Sequence, residues 1–193
     1  LALLMVFLRI QEPDKRNNDF VKLIKIVANK FARFYIFVIR GTPMMVQAMV
    51  IFWGFALINN GVTLNVVFAG LFIVSINTGA YMAEIVRGGI ISIDPGQTEG
   101  AKAIGMTHFQ TMTSVILPQA IRNIPPQIGN NYIINVKDTS VMFIIGFTEF
   151  FASHRYIVGI NNKYFPSAVI EMAGYLTMTL LASFLLRLLE KVM

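Results

Sequence analysis

The chain has 193 residues, of which 55% are hydrophobic and 13% charged, with a mean hydropathy of +0.64. Soluble domains carry roughly 25% charge, so a water-covered globule is excluded and lipid is the expected solvent. Lys and Arg exceed Asp and Glu by 16 to 10, and the absence of cysteine excludes disulfides, thiolate metal sites and cysteine nucleophiles.

In chain order, Leu1–Leu8 is apolar and reads as the tail of a helix whose beginning lies before the sequence. Glu12–Asn18 is polar, holds Pro13 and reads as a loop. Phe20, Leu23, Ile24, Val27 and Phe31 then recur at helical spacing, with Lys22, Lys25 and Lys30 off that face, which predicts an interfacial amphipathic helix. Crossing a membrane takes ~20 mostly apolar residues. Gly41–Ile58 and the uncharged stretch Val62–Ala83 meet that need, Gln127–Thr148 meets it with Lys137 and Asp138 inside, and Phe165–Leu186 meets it with Glu171 inside. The expected architecture is an all-α polytopic membrane bundle in one domain, residues 1–193, with about five transmembrane helices, the first truncated.

Orientation follows from the cations. Arg9, Lys15, Arg16, Lys22, Lys25, Lys30, Arg33 and Arg40 precede the first whole span and mark a cytoplasmic side. Threading from there puts the Asn59–Gly61 turn, Arg155 and Lys163 outside, and Arg87, Lys102, Arg122, Arg187 and Lys191 inside. Because the cations flank apolar spans, the basic balance reflects membrane orientation and implies no nucleic-acid partner. Phe52, Trp53 and Phe55, and later Tyr164 and Phe165, are placed where aromatic interface belts occur.

The cytoplasmic loop between the Val62–Ala83 and Gln127–Thr148 spans is strongly punctuated. Asp94 before Pro95 is a helix start, with Gln97 at capping-box spacing. Gly105 supplies a stop, and Thr107 with Gln110 repeats the cap pattern before a helix that Pro118 should interrupt. The loop therefore encodes a short bounded helix, Pro95–Ile104, suited to docking in a partner's groove.

Glu99-Gly100-Ala101 followed by Gly105, Leu117 and Pro118 resembles the Glu-Ala-Ala loop of ABC-type importer permeases. Arg40-Gly41-Thr42-Pro43, Asn77-Thr78-Gly79-Ala80-Tyr81, Ala83-Glu84-Ile85-Val86-Arg87-Gly88-Gly89, Ile93-Asp94-Pro95-Gly96-Gln97 and Lys137-Asp138-Thr139-Ser140 are similar to the polar amino acid branch of that family. Five motifs in order are specific; the departures are Gly100 in place of the central Ala and the absence of most of the first span. The resemblance implies a permease subunit that carries polar or basic amino acids by alternating access. Asp94, Gln97, Glu99, Gly100, Ala101, Lys102 and Gly105 would couple it to a separate ATPase that holds ATP and Mg. It further implies a second permease chain, an external substrate-binding protein and a cell-membrane location.

The residues themselves support no enzyme. Gly100–Gly105 spaces like a phosphate loop and Thr107 supplies the hydroxyl, but Met106 stands where the Lys is needed, and His108 and His154 lack ligand partners at metal spacing. Two polar stripes remain. Asn77, Tyr81 and Glu84 share one helical face, as do Gln127, Asn131, Asn135 and Asp138. Gln47, Asn77, Thr78, Tyr81, Asn131, Asn135 and Asp138 are the candidate substrate path, and interhelical hydrogen bonding is the competing account of such residues. Glu84 with Arg87 could instead be an ion pair, and Lys137 with Asp138 could bind other helices. An ion-coupled carrier or a channel-like subunit is the alternative function.

Overall fold

The computed structural model describes residues 4, 5 and 19–190. The expected Glu12–Asn18 loop, most of Leu1–Leu8, and Arg9, Lys15, Arg16 and Lys191 lie outside these residues. The described chain is all helical: α1 (Asp19–Gly41), α2 (Met44–Ile58), α3 (Val66–Ile91), α4 (Pro95–Ala103), α5 (His108–Thr111), a π turn Met112–Ile116, α6 (Leu117–Asn123), α7 (Pro125–Asp138), a 3-10 segment Thr139–Ile145, α8 (Phe150–Asn161) and α9 (Tyr164–Glu190). Two of these helices, Val66–Ile91 and Tyr164–Leu189, are each long and apolar enough to cross a membrane, and two more spans arise if each broken helix pair counts as one. In α9 no residue of the apolar window is fully buried, which leaves much of the helix open to lipid.

Several boundaries differ from the sequence expectation for identifiable reasons. The span expected over Gly41–Ile58 is helical only from Met44, because α1 runs on through Gly41 and Pro43, without an N–H, sits at the cap of α2. The span expected over Val62–Ala83 begins at Val66, where the Asn65 side chain accepts from the amides of Val67 and Phe68, and continues to Ile91. It extends through charged residues because Glu84 and Arg87 form a bidentate pair, with Arg87 Nη2 2.7 Å from Glu84 Oε2. Pro118 does not interrupt its helix. A π turn precedes it, with Leu117 N–H bonded to Met112 O, so the wider turn absorbs the missing donor. Downstream of Asp138 the helix tightens to 3-10 and stops at Gly146, φ +82, and α8 follows where only an outer connection was expected.

Two compact units are formed. One takes in the described residues up to Phe37 together with Gly79–Gly129. Its core gathers Met5, Ala32, Ile36 and Ala83, with Tyr35 and Val86 packed against them. The expected apolar face of α1 is present, and Phe20, Leu23, Ile24, Val27 and Phe31 are all exposed on it.

The second unit comprises Val38–Thr78 and the chain from Asn130 onward. Its core is Ala48, Phe52, Ala69, Ile73, Met142 and Ile145. Phe52 is therefore a core residue with its ring edge-on to Trp53, and the interface belt expected there is reduced to Trp53 and Phe55, while Tyr164 and Phe165 are exposed as expected. Gly174 lets α9 close on α8: a Cβ there would lie 2.6 Å from the Phe150 ring.

Candidate functional site

The punctuated loop lies in the first unit, and its base is pinned. Gly89 on α3 is in close approach to the Ile124 side chain, leaving no room for a Cβ. Asn123 Nδ2 donates to Ser92 Oγ at 3.3 Å, and Gln119 Nε2 donates to Gln97 Oε1 at 3.3 Å. Segments more than twenty residues apart are thus held together around one lever.

The lever is α4, which ends at Ala103, with Ile104 as its C-cap. Asp94 accepts from Gly96 N at 2.8 Å, and Pro95 occupies the first turn. Gln97 does not complete the expected capping box, because its side chain is engaged by Gln119. At the other end Gly105 has φ +83, its N–H bonds to Lys102 O, and Met106 N–H bonds to Ala101 O. That pair of bonds is a Schellman closure, which needs the left-handed residue that glycine supplies. Thr107 and Gln110 then form a complete capping box.

Of the expected coupling residues, Ala101 is buried and anchors α4, while Asp94, Gln97, Glu99, Gly100, Lys102 and Gly105 are exposed. Neither the Glu99 nor the Lys102 side chain makes an ion pair or hydrogen bond among the described residues, so both charges face outward from a rigid helix. A Cβ at Gly100 would meet nothing within 4 Å, so the chain's own packing does not demand glycine there. Beside α4 lies a groove of about 380 Å³, floored by Ile90, Ile93 and Met112 and rimmed by Thr98, Glu99 and Lys102.

The second unit brings most of the expected path residues together. Gln47 is buried; its Nε2 lies 2.8 Å from Ile39 O, 2.9 Å from Thr42 O and 2.8 Å from Thr42 Oγ1, while its Oε1 accepts from Asn77 Nδ2 at 3.1 Å. Asn135 Nδ2 donates to Thr78 Oγ1 at 2.9 Å. Asn131 is buried. Asp138 and Lys137 are exposed and make no ion pair among the described residues. Gln127 and Tyr81 belong to the other unit, Gln127 exposed and Tyr81 half-buried.

Two features were not foreseen from sequence. Gln47 braces the break between α1 and α2, where the last carbonyls of α1 have no helical partner; Thr-Pro after Gly41 announces the break but not the side chain that repairs it. The other is a polar cluster on α8 and α9. The Glu149 carboxylate caps α8 through the amides of Phe151 and Ala152 at 2.8 and 2.6 Å and accepts from Tyr175 OH at 3.1 Å, and His154 Nε2 stands 3.4 Å from Glu171 Oε2. Its two cross-helix pairs, Glu149 with Tyr175 and His154 with Glu171, are 26 and 17 residues apart along the chain, so no local pattern announces them. Among the described residues no three His, Asp or Glu side chains are grouped to hold a metal ion.

An all-helical chain with apolar spans, a capped exposed helix between two of them and buried amide pairs defines a membrane permease. Residues 22–193 match the family described as binding-protein-dependent transport system inner membrane component, and the chain belongs to that family. It is similar to the glutamine transport system permease protein of Escherichia coli strain K12, 38% identical over 165 residues, covering 86% of this chain and 75% of that protein. A probable amino-acid permease protein of Bacillus subtilis strain 168 is 36% identical over 171 residues, with the same coverage. Among solved structures, the crystal structure of an amino acid ABC transporter with histidines superposes with a TM-score of 0.83 at 38% identity, covering all of this chain and 83% of that one.

Proposed function

We propose that this chain is the transmembrane permease subunit of an ATP-driven importer that moves polar amino acids into the cell across the plasma or inner membrane. The family makes it a permease component, and the relatives' names point to amino acids. The observation that carries the coupling role is α4 itself: a helix closed at both ends, pinned at its base, presenting unpartnered Glu99 and Lys102 beside a groove. Such a helix transmits force, because its ends cannot fray and its base cannot slide.

In this reading two permease chains, identical or paralogous, enclose the path, and an external binding protein delivers substrate. Two cytoplasmic ATPases hold ATP and Mg and grip the two α4 helices. ATP-driven closure of the ATPases draws those helices together and rocks the spans so that the path faces outward; hydrolysis and release reverse it. Pro118, Pro125, Pro126 and Gly129 are the places where tilting is absorbed, because each proline removes a backbone donor from the helix. The spans meet lipid, and nucleic acid has no part in the cycle.

The test is the double substitution Glu99→Ala with Gly105→Ala, which removes an outward charge and strains the φ +83 closure by about 1–2 kcal/mol. In proteoliposomes holding the full complex, ATP hydrolysis should continue while uptake is lost. Unchanged coupled uptake refutes the docking role. Uptake driven by an ion gradient without ATP would establish a carrier instead.

A further inference from the structure

Around its axis α1 offers three different sectors. Ala32 and Ile36 are buried in the core of the first unit. On the far side Phe20, Leu23, Ile24, Val27, Phe31 and Phe34 form a stripe, each more than half exposed. Between the two, Lys22, Lys30 and Arg33 share a sector of about 80° that borders the stripe. Lys25 stands apart from them, half-buried on the side of Ala32 and Ile36. The one carboxylate between Asp19 and Phe37 is Asp19 itself, 3.1 Å from Lys22, and neither Lys30 nor Arg33 has a carboxylate in ion-pair reach among the described residues.

Hydrocarbon is the cover that a membrane protein has to hand for such a stripe. Cations orient a membrane chain through their number, a need met at any angle around the helix, so orientation does not explain why three of them gather along one border. That border is where headgroups lie when the stripe sinks into the acyl boundary, and the long Lys and Arg stems reach it while the stripe stays covered. A second copy of α1 laid on this face would bring two cationic borders together with no free carboxylate to meet them. A zwitterionic headgroup offers the cations no net charge, whereas an anionic one does. We propose that α1 is a binding site for anionic phospholipid of the cytoplasmic leaflet, with the stripe among the acyl chains and Lys22, Lys30 and Arg33 against the headgroup phosphates. The inference rests on the membrane-permease reading for its lipid surroundings and goes beyond it in the lipid that it selects.

The chain has no cysteine, so Phe31→Cys takes a single nitrobenzoxadiazole fluorophore on the whole chain in phosphatidylcholine vesicles. Nitroxide-bearing phosphatidylglycerol or nitroxide-bearing phosphatidylcholine is then titrated in as quencher. Each cation near an anionic surface favours contact by roughly 5-fold, so half-maximal quenching should need a mole fraction of phosphatidylglycerol at least about 5-fold lower than of phosphatidylcholine. In the triple variant Lys22→Gln, Lys30→Gln, Arg33→Gln the two lipids should come close to parity, with quenching by phosphatidylcholine unchanged. Equal quenching by both lipids in the unaltered cationic sector overturns the inference, as does a preference that survives the triple variant. Absence of quenching by either lipid overturns it by showing that a protein surface covers the stripe. Loss of quenching by both lipids in the triple variant also overturns it, because the stripe alone should hold the helix in a neutral bilayer. Quenching requires neither ATP nor substrate, so these failures leave the importer reading standing, while absence of ATP-driven uptake by the full complex would overturn that reading and not this one.

Discussion

Replacing Gln47 by leucine separates a brace from a path residue. Nε2 carries two hydrogens and faces three acceptors at 2.8 to 2.9 Å, so it serves two at a time, and Oε1 accepts one bond from Asn77. Leucine therefore removes three hydrogen bonds and leaves the Ile39 carbonyl and the Asn77 amide without partners in a buried setting. At roughly 0.6–1.5 kcal/mol for each bond, the loss is about 2–4 kcal/mol. For a domain of this size that lowers the thermal midpoint by roughly 5–15 °C. Thermal unfolding of the purified complex in detergent, followed by intrinsic fluorescence, reads it directly. A double-mutant cycle with Asn77→Leu isolates the Gln47–Asn77 bond, because removing both partners leaves neither one unmet. A Gln47→Leu protein that transports poorly but unfolds at the unaltered temperature would refute the bracing argument and return Gln47 to the substrate path alone.

Three further outcomes follow from the packing. Gly100→Ala should stabilise α4 by about 0.5–1 kcal/mol, since an added Cβ meets open space, and should slow amide hydrogen exchange in 95–103 while uptake persists. Gly89→Ala drives a Cβ into Ile124 at the base of the lever and should cost about 1–3 kcal/mol, read as a lower thermal midpoint; an unchanged midpoint would show that Ile124 can move aside. Glu149→Ala strips the cap from α8 and should cost about 1–2 kcal/mol, with faster hydrogen exchange at Phe151 and Ala152, whereas Tyr175→Phe should leave those two amides protected.

Local chemistry made the lever legible before any coordinates. Asp94-Pro95, Gly105 and Thr107 with Gln110 are start and stop signals whose hydrogen bonds lie within a few residues, so their pattern along the chain is their geometry. The apolar lengths of α3 and α9, and with them the membrane as solvent, were equally readable, because covering a hydrocarbon layer is a matter of composition and length. Only the tertiary structure could decide the rest. Whether Phe52 meets lipid or core, whether Gln47 closes a helix break, and that Glu149, His154, Glu171 and Tyr175 gather on one hairpin all depend on which faces meet. In a chain that is apolar on nearly every face, hydrophobic periodicity no longer marks the inward side. The inward side is set instead by close packing at small residues such as Gly89 and Gly174 and by the pairing of a few buried polar groups.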